Sequence, residues 1–244
     1  MGTSADRASG SGGAWTPLKH AATAYAKVAS SGSGGSRATA QRVLGRHVAV
    51  LGGSGAAAGS ARSGSTGLAR LGGLLAGVGS SGLATALTGL GLGHLVGKGR
   101  FDVLDELITL LTGDASDIES QAARDAMCDV LDELYADADS WEDLEAASVT
   151  PESLRTLLTL FLAKYTYNRM PVLAERLARL MDPTAAKKAD QLIVGMIHDL
   201  VELRMPNDPL RFDWAGPDGR RFAEDAIRDV YEVLGEQGGN EGDA

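Results

Sequence analysis

Apolar residues recur every three to four positions from residue 101 towards the end of the chain. In the stretch FDVLDELITLLTG the apolar positions are 101, 104, 107, 108 and 111, and acidic side chains occupy the other face. This spacing is typical of an amphipathic α-helix, and Gly113 is a typical stop. No stretch keeps the strict alternation that a half-buried β-strand shows. The pattern therefore predicts an all-α back half.

Helix start signals divide this back half into about six helices. Ser116 and Glu119 match a capping box for a helix that would run to about residue 136. Thr150-Pro151-Glu152 combines an N-cap, a proline at the first helical position and an acid in the first turn. Residues 205–220 contain three prolines and two glycines, which predicts a loop before a last helix that begins near Arg221.

The front of the chain is rich in glycine and serine and has few long apolar side chains. Short helices could form over residues 15–29 and 37–52, and the remaining composition is that of a flexible, largely disordered region. The predicted organisation has four parts: a flexible basic arm (1–66), a Gly/Leu-rich helical segment (67–99), an acidic α-helical domain (100–236) and a disordered tail (237–244).

The stretch Leu71–Gly97 has 27 residues and no formal charge, which is long enough to span a bilayer. Nine of them are glycines, and each costs about 1 kcal/mol of helix propensity, so membrane insertion is marginal. Packing on protein with a bend at residues 79–82 is the favoured interpretation, and disorder and membrane contact are the alternatives. Glycines four apart favour close helix packing; the candidates are Gly73, Gly77, Gly89, Gly93 and Gly97.

Charge divides the chain at the same place. The first hundred residues contain ten of the 23 basic residues and one acid, Asp6, whereas the rest contains 31 acids and 13 bases. A basic arm can bind nucleic acid, anionic lipid or an acidic partner, and the acidic back half of the chain is one such partner. Nucleic acid is disfavoured because the acidic body repels it and the arm lacks interleaved aromatic residues for stacking on bases.

No constellation of residues predicts catalysis, a metal or a cofactor. His198 and Glu202 have a metal-ligand spacing beside Asp199, but a third ligand of matching type is missing, and a polar helix edge explains them. Cys128, the single cysteine, has no histidine partner, and a chain that cannot form an internal disulfide suits a reducing cytoplasm. The glycine-rich stretches match neither phosphate-loop nor dinucleotide-loop patterns. The sequence therefore predicts a cytoplasmic protein that is not an enzyme.

The layout of the chain resembles a known family. A Met-Gly-Thr-Ser opening, a Gly/Ser tract, the stretch GGSRATAQRVLG, a Gly/Leu segment and an acidic helical back half together resemble the QatB component of the four-gene Qat anti-phage defence system. The resemblance implies three partners: an ATPase, an enzyme resembling the 7-cyano-7-deazaguanine synthase QueC, and a TatD-like nuclease.

The resemblance also implies a modification site. QueC-like enzymes of related defence systems attach a deazaguanine base to the N-terminus of a partner protein. Carried over to this chain, the acceptor is the amine of Gly2 after loss of Met1, with Thr3 and Ser4 as a recognition tail. The expected function is that of a non-enzymatic, partner-binding defence component. The alternative is a membrane-active effector that uses Leu71–Gly97.

Overall fold

The computed structural model describes residues 12–33, 35–201 and 203–239. These residues form twelve α-helices and no β-strand, which confirms the all-α prediction. A π-helical turn (Ala29–Ser33) follows the first helix and a 3-10 turn (Gly93–Leu95) follows the fifth. The helices are α1 (Gly12–Val28), α2 (Arg37–Val50), α3 (Ser54–Gly59), α4 (Arg62–Ser81), α5 (Leu83–Gly89), α6 (Arg100–Thr112), α7 (Ile118–Leu134), α8 (Trp141–Ala146), α9 (Pro151–Asn168), α10 (Pro171–Ala178), α11 (Pro183–Leu200) and α12 (Pro217–Gly239).

The helices belong to two compact units that the composition does not outline. Unit 1 combines the described part of Met1–Ser60 with Met170–Leu200 and the described residues from Arg228 onward. Unit 2 combines Ala61–Arg169 with Val201–Ile227. The composition instead predicts divisions near residues 66 and 99. Composition describes only contiguous stretches of the chain. A compact unit combines segments that are distant in sequence, so its boundaries do not have to follow changes in composition.

Unit 1 gives the front of the chain an ordered core, where the composition predicts a flexible arm. Leu18 and Tyr25 on α1, and Val43 and Leu44 on α2, are at most 3% exposed. The Tyr25 hydroxyl donates a hydrogen bond of 2.5 Å to the Ala189 carbonyl oxygen on α11. The described front is therefore helical because these few large side chains meet partners from residues 170–200, which local composition cannot reveal.

Unit 2 is built around α4. This helix packs against α5, α6, α7 and α9, and its leucines Leu68, Leu71, Leu74 and Leu75 are at most 1% exposed. The predicted bend at residues 79–82 is confirmed, because α4 ends at Ser81 and Gly82 adopts a φ of +81°. A positive φ is readily available only to glycine. Among the described residues, no helix has the length and apolar character to cross a bilayer.

The helix boundaries of the back half follow their local signals, with three corrections. Thr150 caps α9 and Pro151 is its first residue, as predicted. The capping box of α7 consists of Asp117 and Ser120, one residue later than predicted, because the Ser120 side chain accepts the Asp117 N–H. Ser140 predicts only a short capped turn around Trp141, whereas residues 141–146 form a short helix, and α12 begins at Pro217 instead of near residue 221.

The α7 cap predicts a pH dependence of stability. Hydrogen bonds from the Ser120 backbone N–H and hydroxyl hold the pKa of Asp117 below its ordinary value of 3.8. A lowered folded-state pKa stabilises the fold above the unfolded pKa, and this contribution is lost as the pH falls through the lower folded-state value. Asp117→Asn keeps a capping oxygen but does not titrate.

We therefore expect wild type to be more stable than Asp117→Asn at pH 7, with a difference that shrinks below about pH 4. Urea unfolding of both proteins between pH 7 and pH 2.5 measures it. A stability difference that stays constant over this range would contradict the role of the Asp117 charge.

Candidate functional site

The residues predicted for modification and recognition lie outside the described part of the chain. Gly2, Thr3 and Ser4 precede Gly12, where α1 begins. Their role stays a prediction. What the structure fixes is the anchor to which they are attached, because Leu18 and Tyr25 bury one face of α1 in unit 1.

Asp199, a candidate from the sequence, and Asp129 on α7 lie in surface ion pairs. Asp199 pairs with Arg37 at 3.4 Å, and both side chains are more than half exposed; Glu202 lies outside the described residues. Asp129 on α7 pairs with Lys164 on α9 at 3.1 Å. No group of three His, Cys, Asp or Glu residues in the described chain is arranged to hold a metal ion. These carboxylates lie on solvated faces, where such groups do little chemistry.

A half-buried cysteine and a surface groove are two other features that bear on a small-molecule site. Cys128 is half-buried, and burial raises the pKa of its thiol, which disfavours the nucleophilic thiolate. In unit 1 a groove of about 500 Å³ lies between α2 and α12, and its lining includes Gly45, Arg46, Glu232 and Gly235. It is open to solvent, unlike the enclosed pockets that bury most of a small ligand.

The glycines that allow close approach are mostly not those chosen from their spacing. A Cβ on Gly77 would lie 3.3 Å from the Ala86 Cβ, which is tight, whereas one on Gly73 would lie 3.7 Å from the Trp214 Cβ, an ordinary distance. A Cβ on Gly93 would be 3.5 Å from the Thr88 hydroxyl oxygen, and one on Gly89 or Gly97 would have no neighbour within 4 Å.

Other positions of α4 have no room for a side chain. A Cβ on Gly64 would overlap the Tyr165 ring, one on Gly72 would overlap the Trp214 ring, and one on Gly79 would lie 2.5 Å from the Val149 carbonyl oxygen. The sequence signal is weak but present: Gly64 and Gly72 are eight residues apart and therefore share a face of α4. The aromatic rings that make them necessary come from distant segments, so spacing alone could not select them.

Glu119 on α7 caps the N-terminus of α4, which has no side-chain cap of its own. Its Oε2 accepts the Ser63 N–H at 3.2 Å, and its Oε1 accepts the Gly64 N–H at 3.0 Å. The Tyr165 hydroxyl donates to the same Oε1 at 2.7 Å. A carboxylate at a helix N-terminus satisfies free N–H groups and faces the positive end of the helix dipole.

Two further contacts in unit 2 follow the same principle. Glu145 accepts the Ala84 N–H of α5 at 2.9 Å, and α5 likewise has no cap of its own. In the opposite direction, Arg70 on α4 donates to the Leu110 and Leu111 carbonyls at the end of α6. Acids of the back half therefore complete front-half helices, and a front-half base completes a back-half helix. The charge asymmetry of the sequence serves, in part, to join the two halves.

A comparison with known protein families shows to which family this chain belongs. The family model described as Qat anti-phage system associated protein QatB matches residues 52–234. The chain belongs to the QatB family. The match covers α3 to α11 and most of α12. It therefore includes α4, the Glu119 side chain that caps it, and the aromatic residues around its glycines. The QatB resemblance inferred from the sequence is thereby confirmed. The Met-Gly-Thr-Ser opening lies outside the matched region.

Membership makes the chain a component of the Qat anti-phage defence system, with other components of that system as its partners. No curated protein and no solved structure matches the chain.

Proposed function

We propose that this QatB-family chain is a non-enzymatic, partner-binding component whose N-terminus accepts a deazaguanine base from the QueC-like enzyme of the same system. The observation that carries the proposal is the position of α1. The described chain begins at Gly12, the first residue of this helix, which Leu18 and Tyr25 anchor in unit 1. Nine residues separate Gly2 from Gly12, so the ten Cα-to-Cα steps between them reach at most about 35 Å. A partner active site within that distance could therefore receive Gly2.

The chemistry of the amine favours this acceptor over the lysines. An α-amino group has a pKa of about 7.7–8.0, whereas a lysine side chain has one of about 10.4. At neutral pH, therefore, a much larger fraction of the Gly2 amine carries the free electron pair that a nucleophile needs. Glycine adds no side chain beside the nitrogen, and Thr3 and Ser4 offer hydroxyl groups for recognition by the modifying enzyme.

The body of the protein supports a binding role. In unit 2 the carboxylates of Glu119 and Glu145 serve as helix caps and are therefore engaged in holding the fold. The ATPase and the TatD-like nuclease of the system are further proposed partners of the helical surface. The cytoplasmic location stays a prediction.

Burial gives no support to the membrane-active alternative. The leucines at 71, 74, 75, 83 and 87 are at most 1% exposed inside unit 2. Insertion of Leu71–Gly97 into a bilayer would require α4 to leave Trp214, Tyr165 and its caps, and would expose all of these groups.

Intact-mass spectrometry of the chain co-expressed with the QueC-like enzyme tests the proposal. We expect loss of Met1 and a mass gain per chain of one deazaguanine base less the leaving group and the amine proton that the new bond to the Gly2 nitrogen displaces. Gly2→Glu should abolish the gain, because a large second residue prevents removal of Met1 and blocks the acceptor amine. Gly10→Glu is the matched control, with the same change of charge in the same segment, and should keep the gain. An unmodified chain in an active defence complex would contradict the modification.

A further inference from the structure

The open groove of unit 1 has the features of a peptide-binding site. We call it the α2–α12 groove, and its volume is about 500 Å³. Three residues of α2 and three of α12 in its lining are Gly45, Arg46, Val48, Glu232, Gly235 and Glu236. Each helix thus contributes a glycine, which leaves room for another backbone to approach closely. An open groove of this kind suits a segment of peptide better than a small molecule, which an enclosed pocket would bury.

The charged residues that line the groove are available to a ligand. Arg46 on α2 and Glu232 and Glu236 on α12 are exposed, and none of the three forms an ion pair with a residue that the structure describes. The two helices therefore offer opposite signs of charge, with one cation on α2 and two carboxylates on α12. A ligand that fits both helices carries an anion on one side and a cation on the other.

The chain that precedes α1 starts close to this groove. α1 and α2 pack along each other, and Gly35, with a φ of +100°, reverses the chain between them. A Cβ on Gly35 would lie 2.8 Å from the Tyr25 ring, so these two residues are about level. Gly12 lies thirteen residues before Tyr25, and Val48 lies thirteen residues after Gly35. Because both helices rise about 1.5 Å per residue, α1 begins about level with Val48, which lines the groove.

We propose that the α2–α12 groove binds residues 1–11 of the same chain through Asp6 and Arg7. These are the two charged side chains of that segment. Successive side chains of an extended segment point to opposite sides, so a segment lying along the groove directs Asp6 to α2 and Arg7 to α12. Asp6 then meets the Arg46 guanidinium, and Arg7 meets the two carboxylates of α12.

The length of the segment permits this contact. Five Cα-to-Cα steps join Gly12 to Arg7 and span at most about 18 Å. A helix with its side chains is about 10–12 Å across, so five steps are enough to reach even the far side of α2.

Charge excludes the other segment beside the groove. Residues 240–244 follow the end of α12 and carry two acids, Glu241 and Asp243, and no base. The carboxylates of α12 repel that segment, whereas Arg7 supplies the cation that they attract. The inference rests on the groove and on these charges, and it does not depend on the modification of Gly2. Docking of Arg7 would keep Gly2 within five steps of the groove, at most about 18 Å away.

Electron paramagnetic resonance of a nitroxide label on Ser9→Cys, in the full chain with Cys128→Ser, tests the contact. Position 9 lies between Arg7 and the start of α1, so the label loses mobility when Arg7 is docked. We expect the immobile component to dominate the spectrum of this reference protein. We also expect the immobile fraction to be independent of protein concentration, because the segment and the groove belong to one chain. Circular dichroism verifies that each variant is folded.

An exchange of charges identifies the partners. Arg7→Glu alone, and Glu232→Lys/Glu236→Lys alone, should each lower the ratio of immobile to mobile label about fivefold or more, because an attraction becomes a repulsion. All three substitutions together should restore the ratio. Glu133→Lys/Glu224→Lys is the matched control, since it makes the same change of charge at two exposed glutamates that do not line the groove. It should leave the ratio unchanged.

A side chain that fills the groove gives an independent test. A Cβ on Gly235 would lie 3.5 Å from the Val48 Cγ1, an ordinary contact, so a larger residue fits the fold there. Gly235→Leu should abolish the immobile component. Gly195→Leu, at an exposed position of α11 where a Cβ has no neighbour within 4 Å, should leave it unchanged.

Four results would overturn the proposal. They are a label that stays mobile in the reference protein, a ratio that Arg7→Glu does not lower, a triple variant that fails to restore it, and an immobile fraction that rises with protein concentration. The last result would assign the groove to a second copy of the chain. None of these measurements involves the QueC-like enzyme, so their failure leaves the modification of Gly2 to its own test by mass spectrometry.

Discussion

We expect Glu119→Ala to lower the free energy of unfolding by about 2–4 kcal/mol. The substitution removes the acceptor of the Ser63 N–H, the Gly64 N–H and the Tyr165 hydroxyl at once. Hydrogen bonds to a charged group contribute about 1.5–3 kcal/mol each, and these three are not additive because they share one carboxylate. The start of α4 also loses the negative charge that faces its dipole. Thermal and urea unfolding followed by circular dichroism measure the effect.

Glu133→Ala is the matched control for this prediction. Glu133 lies on the same helix and is exposed, so its removal should change stability by less than about 0.5 kcal/mol. Equal effects of the two substitutions would show that Glu119 acts only through the net charge of α7. Hydrogen exchange adds a local readout, because loss of the cap should speed exchange at the first turn of α4 before it affects α9.

The second large effect is expected at Gly72. Gly72→Ala places a methyl group into the ring of Trp214, which is 2% exposed and donates its Nε1–H to the Pro209 carbonyl oxygen at 2.8 Å. The ring cannot move without breaking that bond, so we expect a loss of about 1–3 kcal/mol from overpacking. Unfolding followed by tryptophan fluorescence and by circular dichroism reports it.

Gly73→Ala is the control, since it makes the same change one residue further along α4. A Cβ there has an ordinary 3.7 Å contact, so the gain in helix propensity should stabilise the protein by about 0.5–1 kcal/mol. The two substitutions should therefore act in opposite directions. Effects of the same sign and size would mean that the register of α4 against Trp214 differs from the one described.

Local signals were sufficient for most of the back half. The Thr150 cap with Pro151 and the Gly113 stop could be read directly, because a cap or a stop depends on a few neighbouring residues. The error at Ser116 arises because the local signals there are ambiguous. Two serines and two acids lie within five residues, and Glu119, which the sequence assigns to the cap of α7, instead accepts N–H groups of α4.

Contacts between segments that are far apart in the chain could not be predicted from the sequence. Whether a glycine-rich segment forms a helix depends on what fills the space beside it, and the rings of Trp214 and Tyr165 lie far along the chain from Gly72 and Gly64. The order in unit 1 likewise rests on Tyr25 meeting Ala189. The composition of these regions predicts flexibility because they contain few large side chains. Composition does not show which residues those few large side chains contact in the folded chain.

The charged residues are distributed differently between the two compact units than between the two halves of the sequence. By compact unit rather than by sequence half, unit 1 holds eleven bases and ten acids, whereas unit 2 holds twelve bases and 22 acids. The basic residues of the front are thus divided between a nearly neutral unit and a strongly acidic one. Arg70 in unit 2 shows how such a residue is used, because it satisfies two carbonyls at the end of α6.

We propose that Gly2 receives a base from the QueC-like partner. Tandem mass spectrometry of the tryptic peptide of residues 2–7, GTSADR, tests it most directly after co-expression with that partner. We predict that the added mass of a deazaguanine stays with the first-residue fragment, at the Gly2 nitrogen. An unmodified peptide, or an added mass on Ser4 or on a lysine elsewhere in the chain, would contradict it.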